Sequence, residues 1–272
     1  MKKEKIKLEK EKETLLVPLY CKALESKKET PIISDNKAIE IVSKIEYDYT
    51  KLKIPKQTYV TICIRAKQFD NYVREFLQKY PKGIVVQLGC GLDSRFNRVD
   101  NNEVEWYDLD FPEVIELRKH FYKETDRYHL ISSAVMELNW LESINAKNKP
   151  VIILAEGLFM YLKEEEVKSL IITLQKKFSG STLIFDSYNL LTAKNVKNHP
   201  SLKKTGAIIH WGIDDAHNIE KWNAGIHLIE EWYFTQSEEI RKLDIIYRII
   251  FKLAGLFPVA RKAHRILVFQ LQ

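Results

Sequence analysis

Apolar residues recur along this chain in two rhythms. Val60, Ile64, Phe69, Tyr72, Val73, Phe76 and Leu77 fall near helical spacing, and Thr58 stands where an N-cap belongs. Pro81 and Gly83 stop the pattern, so a helix is predicted over 58–80. Asp35 caps a shorter predicted helix that ends near Ile45. Beyond residue 83 the rhythm changes to short apolar runs at 84–88, 104–109, 128–133, 151–155, 182–185, 226–234 and 265–271. Helical stretches separate most of them: 112–122 with Pro112 in its first turn, 164–178, and one beginning at Ser237. Runs that are apolar throughout belong to strands buried on both faces. Strands separated by helices predict an α/β fold, with a mostly parallel sheet covered on both sides.

In such a sheet, ligands sit beyond the carboxyl ends of the strands at the topological switch point. The run at 84–88 ends in Gly89-Cys90-Gly91, and glycines let a backbone approach a ligand closely. Nineteen residues after Gly91 the next run ends in Asp108-Leu109-Asp110, where a carboxylate can take both hydroxyls of an adenosine ribose. A plain turn with solvated aspartates is the competing reading. A dinucleotide site wants a third glycine where this chain has Ser94, and Asp93 would face an anionic pyrophosphate. S-adenosylmethionine carries an ammonium and a sulfonium but no phosphate. Acids beside the glycine turn suit it, and basic residues elsewhere can hold its carboxylate.

The segments VVQLGCGLDSR (85–95), WYDLDFPEV (106–114) and AEGLFMYL (155–162) resemble, in order, the signature segments of the leucine carboxyl methyltransferase family. YCKALES (20–26), ISDNKA (33–38), RAKQFD (65–70) and WGIDD (211–215) are similar to its bacterial, TcmP-like O-methyltransferases of polyketide synthesis. The resemblance implies a class I, Rossmann-like methyltransferase fold with a seven-stranded sheet and helical cap insertions. It also implies S-adenosylmethionine as methyl donor. By position, Gly89 and Gly91 would line the methionine part, Asp110 would bind the ribose, and Arg65 and Lys22 would hold the carboxylate. Glu156 would sit beside the amino acid moiety, Asp93 near the cationic groups, and Val135 and Met136 against adenine. For Arg65 a salt bridge on a helix surface is the bland alternative.

The acceptor side carries less signal. Tyr161, just past the run at 151–155, faces the expected acceptor, and His210, Asp214 and His217 are the base candidates, with His210 preferred. Those three do not converge in helical phase and lack a fourth ligand, so no metal site is expected. Trp211, Trp222, Trp232 and Tyr233 can either roof an apolar acceptor pocket or pack the core.

Composition changes the picture mainly by exclusion. The 43 Lys and Arg against 37 Asp and Glu leave +6, which sits at the ends: +2 over residues 1–13 and +4 over residues 237–265. A neutral body with mildly basic ends is not a dedicated nucleic-acid binder. The basic segment at 237–265 reads as a solvated helix face. The longest apolar run, 151–162, is twelve residues and holds Glu156 and Gly157, far short of a membrane span. No secretory apolar core follows the charged start, and three isolated cysteines write no disulfide framework, so a cytoplasmic protein with no membrane contact is expected. The expected organisation is a charged tail (1–13), a helical cap (14–82), and a core (83–272) with a substrate-pocket insertion around 188–225. The expected function is an O-methyltransferase acting on a carboxylate or hydroxyl of a small molecule, or on a protein carboxylate. A non-catalytic S-adenosylmethionine-binding module and an NAD(P)-dependent oxidoreductase remain the alternatives.

Overall fold

A computed structural model describes residues 13–147, 149–196 and 208–272. The charged tail up to residue 12 and positions 197–207 of the expected insertion lie outside the described residues. Seven strands form one sheet: β1 (Ile84–Leu88), β2 (Glu105–Asp110), β3 (Tyr128–Ser132), β4 (Val151–Ala155), β5 (Ser181–Tyr188), β6 (Ile226–Tyr233) and β7 (His264–Leu271). Their order is β3-β2-β1-β4-β5-β7-β6, with β1 to β5 paired in parallel and β6 and β7 antiparallel. The order reverses between β1 and β4, which makes their carboxyl ends the switch point.

Period-two alternation divides the core between the two faces. Val85, Trp106, Ile152, Leu154, Ile184 and Ile266 join one apolar cluster with the N-terminal helices α1 (Glu13–Glu25), α2 (Asn36–Lys44) and α3 (Lys56–Lys79). Val86, Leu88, Ile153, Phe185 and Phe269 point the other way, into a cluster that includes Val167, Leu170, Ile171 and Leu174 of α6 (Glu164–Lys177). Two shorter helices follow β1 and β2: α4 (Arg95–Val99) and α5 (Pro112–Lys119). The chain continues past β5 into α7 (Leu190–Val196) and past β6 into α8 (Ile245–Leu256) and a short helix, Pro258–Arg261.

Three predicted boundaries move. Helix α3 begins at Lys56, with Pro55 at the N-cap position, and Thr58 lies inside its first turn. The backbone N–H of Tyr59 already bonds Pro55 O at 3.0 Å, so the turn closes before Thr58 can act as a cap. The helix after β2 stops at Lys119, and Ser237 caps only a 3-10 turn, Glu238–Lys242. The long helix starts later because Asp244 caps it, accepting from Tyr247 N at 3.1 Å. One strand is longer than its apolar run: β5 extends through Asp186, Ser187 and Tyr188, which pair with Ile266, Arg265 and His264 of β7. Two of those extra positions, Asp186 and Tyr188, lie on the face that meets α3.

Candidate functional site at the switch point

Gly89 and Gly91 close β1 in left-handed backbone conformations, with φ of +64° and +51°. That region disfavours any side chain, and the space is also taken. A Cβ on Gly89 would meet Leu158 Cδ1 at 3.1 Å, and one on Gly91 would meet Leu15 Cδ2 of α1 at 3.2 Å. The turn is tied to β2. Gly91 N donates to Asp110 Oδ2 at 2.7 Å, Phe111 N to Asp110 Oδ1 at 2.8 Å, and Cys90 N to Leu109 O at 3.0 Å. From below, Arg118 of α5 donates to Gly91 O at 2.9 Å and pairs with the buried Asp108. Asp110 is itself buried and has no cationic partner among these bonds. Burial raises its carboxyl above the ordinary value despite the two backbone donors.

Between the helical cap and the strand ends lies a buried ion network. Arg95, fully buried, reaches Asp70 of α3 at 2.9 Å, Asp93 at 3.1 Å, and Glu156 just past β4. Arg98 bonds Asp35 at 2.7 Å, Asp70 at 2.7 Å and Asp93 at 3.0 Å. Lys22 of α1 also pairs with Asp93. Burial pushes the Asp93 carboxyl up, but Arg98, Lys22 and Arg95 together hold it well below the usual carboxylate range. Asp93 thus spends its charge on three cations of the protein and fixes Lys22 and Arg95 beside the glycine turn.

Beyond this network Arg65 of α3 bridges two strand ends, bonding Glu156 Oε1 at 2.9 Å and Asp186 Oδ2 at 2.8 Å. The salt-bridge alternative for Arg65 therefore exists, but inside the site and not on a helix surface. Asp186 and Tyr188 share the α3 face of β5 with Ile184, so a carboxylate there meets Arg65 by register alone. His264, the partner of Tyr188 across the ladder, lies diagonal to Asp186 and bonds it through Nε2 at 2.7 Å. Gly157 N donates to the other carboxylate oxygen at 2.5 Å. Burial opposes ionisation of Asp186, and Arg65 and then His264 outweigh it, keeping the carboxyl well below its usual range. Burial lowers the His264 pKa, so the imidazole is neutral at pH 7. Because Asp186 is ionised, Nε2 of the neutral ring must be the donor, which leaves the lone pair on Nδ1.

Tyr161 is half-buried in the 3-10 turn Phe159–Tyr161 and packs with Tyr188 against Met160, Ala193 and Ile209. Burial raises both phenols, so they remain protonated donors at neutral pH. The neighbouring histidine from the sequence, His210, is exposed; its backbone N–H bonds Met160 O at 2.8 Å. Asp214 accepts from Leu190 N, and exposed His217 bonds Glu220 at 2.7 Å, so these residues do not converge with His210 on one point. The aromatic roof also resolves into packing. Trp211 lies in the core at a tilt to Phe185 and Trp222, Trp232 sits against Phe234, and Tyr233 underlies Arg261. Val135 and Met136 follow β3, whose end is tied to β2 by Ser133 N bonding Asp110 O at 3.0 Å. Val135 O accepts from Trp140 at 3.0 Å.

Asp186, His264 and Arg95 are the residues that the sequence reading missed. Asp186 and His264 lie 78 positions apart, and only the antiparallel β5–β7 register joins them. A polar residue ending an apolar strand was a usable signal, applied to Glu156 and not extended to Asp186.

Known proteins resemble this chain along most of its length. Residues 16–175 match the leucine carboxyl methyltransferase family model. Over 265 residues the chain is 31% identical to the tetracenomycin polyketide synthesis O-methyltransferase TcmP of Streptomyces glaucescens, covering 97% of this chain and 98% of that protein. An S-adenosyl-L-methionine-dependent methyltransferase, dpfgK of Gibberella zeae, is 28% identical over 85% of each chain. Among solved structures, a DUF574-family protein of Streptomyces avermitilis aligns over 95% of this chain and 97% of its own, with a TM-score of 0.59 at 10% identity. A Thermobifida fusca protein assigned as a methyltransferase aligns over 94% of each chain, with a TM-score of 0.57 at 16% identity. These two likenesses concern the fold alone.

Proposed function

Because the chain belongs to the leucine carboxyl methyltransferase family and is an S-adenosyl-L-methionine-dependent O-methyltransferase, we propose that it methylates a hydroxyl group of a small, largely apolar molecule. The observation that carries this reading is the buried His264–Asp186 pair beside Arg65, Tyr161 and Tyr188. A carboxylate acceptor is already nucleophilic at pH 7 and needs no base, whereas a hydroxyl benefits from one. The small-molecule part of the proposal is supported by a relative that acts in polyketide synthesis.

The residues at the switch point fit the cofactor. Gly89 and Gly91 turn the backbone in left-handed conformations, the buried Asp110 carboxylate is hydrogen-bonded by two backbone N–H groups, and Arg65 and Lys22 stand at the same rim. Bound there, S-adenosylmethionine supplies a methyl group on a sulfonium for single in-line displacement. Asp110 would hold the ribose hydroxyls, Arg65 and Lys22 the carboxylate, and Glu156 the ammonium. Gly89 and Gly91 would line the methionine part, with Val135 and Met136 against adenine. Asp93 would act by keeping Lys22 and Arg95 in place. His264 Nδ1 would accept the proton of the attacking hydroxyl while Asp186 holds the ring. Tyr161 and Tyr188 would orient the acceptor oxygen, leaving exposed His210 without a part in proton transfer. The desolvated rim contributes mainly positioning.

The test is transfer of labelled methyl from S-adenosylmethionine to a panel of phenols and carboxylic acids. Base-stable methyl ethers are expected, and base-labile esters would contradict the hydroxyl reading. Activity should fall in acid as His264 protonates, at a pH below the ordinary histidine value because burial lowers its pKa. His264→Gln should remove that acid limb and reduce kcat on phenols by about 10²-fold or more, the usual contribution of a positioned base. An unchanged kcat and profile would remove His264 from the mechanism.

A further inference from the structure

The basic segment at 237–265, expected to be a solvated helix face, exposes a run of large apolar side chains alongside its cations. In α8, Ile245, Ile246, Ile249, Ile250, Leu253 and Leu256 are each between 45% and 68% exposed. They fall on one side of the helix by i, i+4 and i+7 spacing. Phe257 and Val259 extend the patch, at 62% and 63% exposed. The opposite side is anchored: Phe251 packs on the core, Gly255 lies against Thr235, Lys56 pairs with Asp244, and Arg261 lies over Tyr233. The exposure is therefore a property of a docked helix. Contiguous apolar surface of this kind marks a partner or a membrane.

We propose that this face is a binding surface for an anionic lipid bilayer, with α8 lying in the plane of the interface. Charge complementarity selects the occupant. Residues 245–263 carry Arg248, Lys252, Arg261 and Lys262 and no acid, amide or Ser/Thr side chain. Exposed Arg248 and Lys252 flank the aliphatic stripe one turn apart. Aliphatic side chains rimmed by cations suit acyl chains below anionic headgroups. A protein interface of this size carries direct hydrogen bonds, for which the face offers almost no side chains. A second copy would bring the same four cations without carboxylates to meet them. No described helix is long and apolar enough to cross a membrane, and the twelve residues of α8 suit an interfacial position. The surface runs to the acceptor side: Asn189 bonds Val259 O and Ala263 O, and exposed Leu190 and Leu191 follow Tyr188. This surface stands independently of the acceptor proposed above, and it revises the expectation of no membrane contact.

Co-sedimentation of the full chain with vesicles tests it. Binding should be at least about tenfold stronger to vesicles with about 30% phosphatidylglycerol than to pure phosphatidylcholine, and high salt should weaken it. An Ile249→Asn/Leu253→Asn protein should lose vesicle binding while keeping its melting temperature and its calorimetric titration with S-adenosylmethionine, since both positions are solvent-exposed. Arg248→Gln/Lys252→Gln should lose the preference for anionic vesicles. Three results would overturn the proposal: equal sedimentation with neutral and anionic vesicles, binding retained in the Asn variant, or no vesicle binding with a dimer that the Asn variant abolishes.

Discussion

An Arg95→Met protein is expected to lose about 3–5 kcal/mol of folding stability, the usual cost of leaving a buried charge uncompensated. For a chain of this size that corresponds to a fall in melting temperature of about 10 °C. Arg95 is fully buried and serves three carboxylates, Asp70, Asp93 and Glu156, from the cap, the glycine turn and the end of β4. Methionine matches its length and removes the cation, so the loss is electrostatic. The pH dependence follows from the partners. Burial alone would raise the Asp70 and Asp93 carboxyls, but the arginines (with Lys22 at Asp93) hold both below the ordinary value. Carboxyls depressed by folding add stability above their unfolded value near pH 4 and lose it as the pH falls through the folded value. The parent should therefore lose stability steeply below about pH 4, and the variant less steeply. Thermal unfolding by circular dichroism at neutral and acid pH measures both. A variant that melts within about 2 °C of the parent, well under the shift for 3 kcal/mol, would show that Arg95 does not hold cap and core together.

Asp186→Asn should reduce kcat for methyl transfer by about 10²- to 10⁴-fold, the range associated with a displaced general base. This carboxylate accepts from Arg65, from His264 and from Gly157 N. Asparagine keeps the shape and loses the charge, so it acts on orientation more than on packing. Asp186 is a positioning residue, and the pH profile separates that role from a structural one. Its charge favours the protonated form of His264 against the larger effect of burial. Removing it lowers the His264 pKa further, and the acid limb of residual activity should move to lower pH. Retention of more than a tenth of parental kcat, or an unmoved acid limb in a weakened enzyme, would contradict this role.

The parallel half of the sheet was legible because β1 and β4 are almost wholly apolar and β2 carries Trp106, Tyr107 and Leu109, and because Gly89, Asp110 and Glu156 stand at or just past their carboxyl ends, where register and chemistry coincide. The antiparallel half was harder to read. Strand β5 continues past its apolar run through Asp186 and Tyr188 because β7 supplies hydrogen-bond partners, a long-range fact with no local signature. The same limit hid the His264–Asp186 pair and directed attention to His210, which is near Tyr161 in space but exposed. Asp93 was legible as a carboxylate beside the glycine turn, but the convergence of Lys22, Arg95 and Arg98 on it joins distant positions and has no local signature. Counting charge in 237–265 located the cations correctly and overlooked the aliphatic stripe between them, because an apolar helix reads as core until its neighbours are known.

The assignment of the switch point as the cofactor site turns on Asp110. Its carboxyl is raised by burial, so in its ionised form it adds no stability at neutral pH, and any contribution it makes to folding is present only below about pH 4 and lost as the pH rises through the folded value. Asp110→Ala should therefore melt within a few degrees of the parent at pH 7 while its cofactor affinity collapses. Calorimetric titration of S-adenosylmethionine into the two proteins measures this directly. The expected result is one-to-one binding by the parent and binding weakened about 10- to 100-fold or more in the folded variant, the worth of hydrogen bonds to a charged group. A folded Asp110→Ala protein that binds S-adenosylmethionine as tightly as the parent would contradict the site.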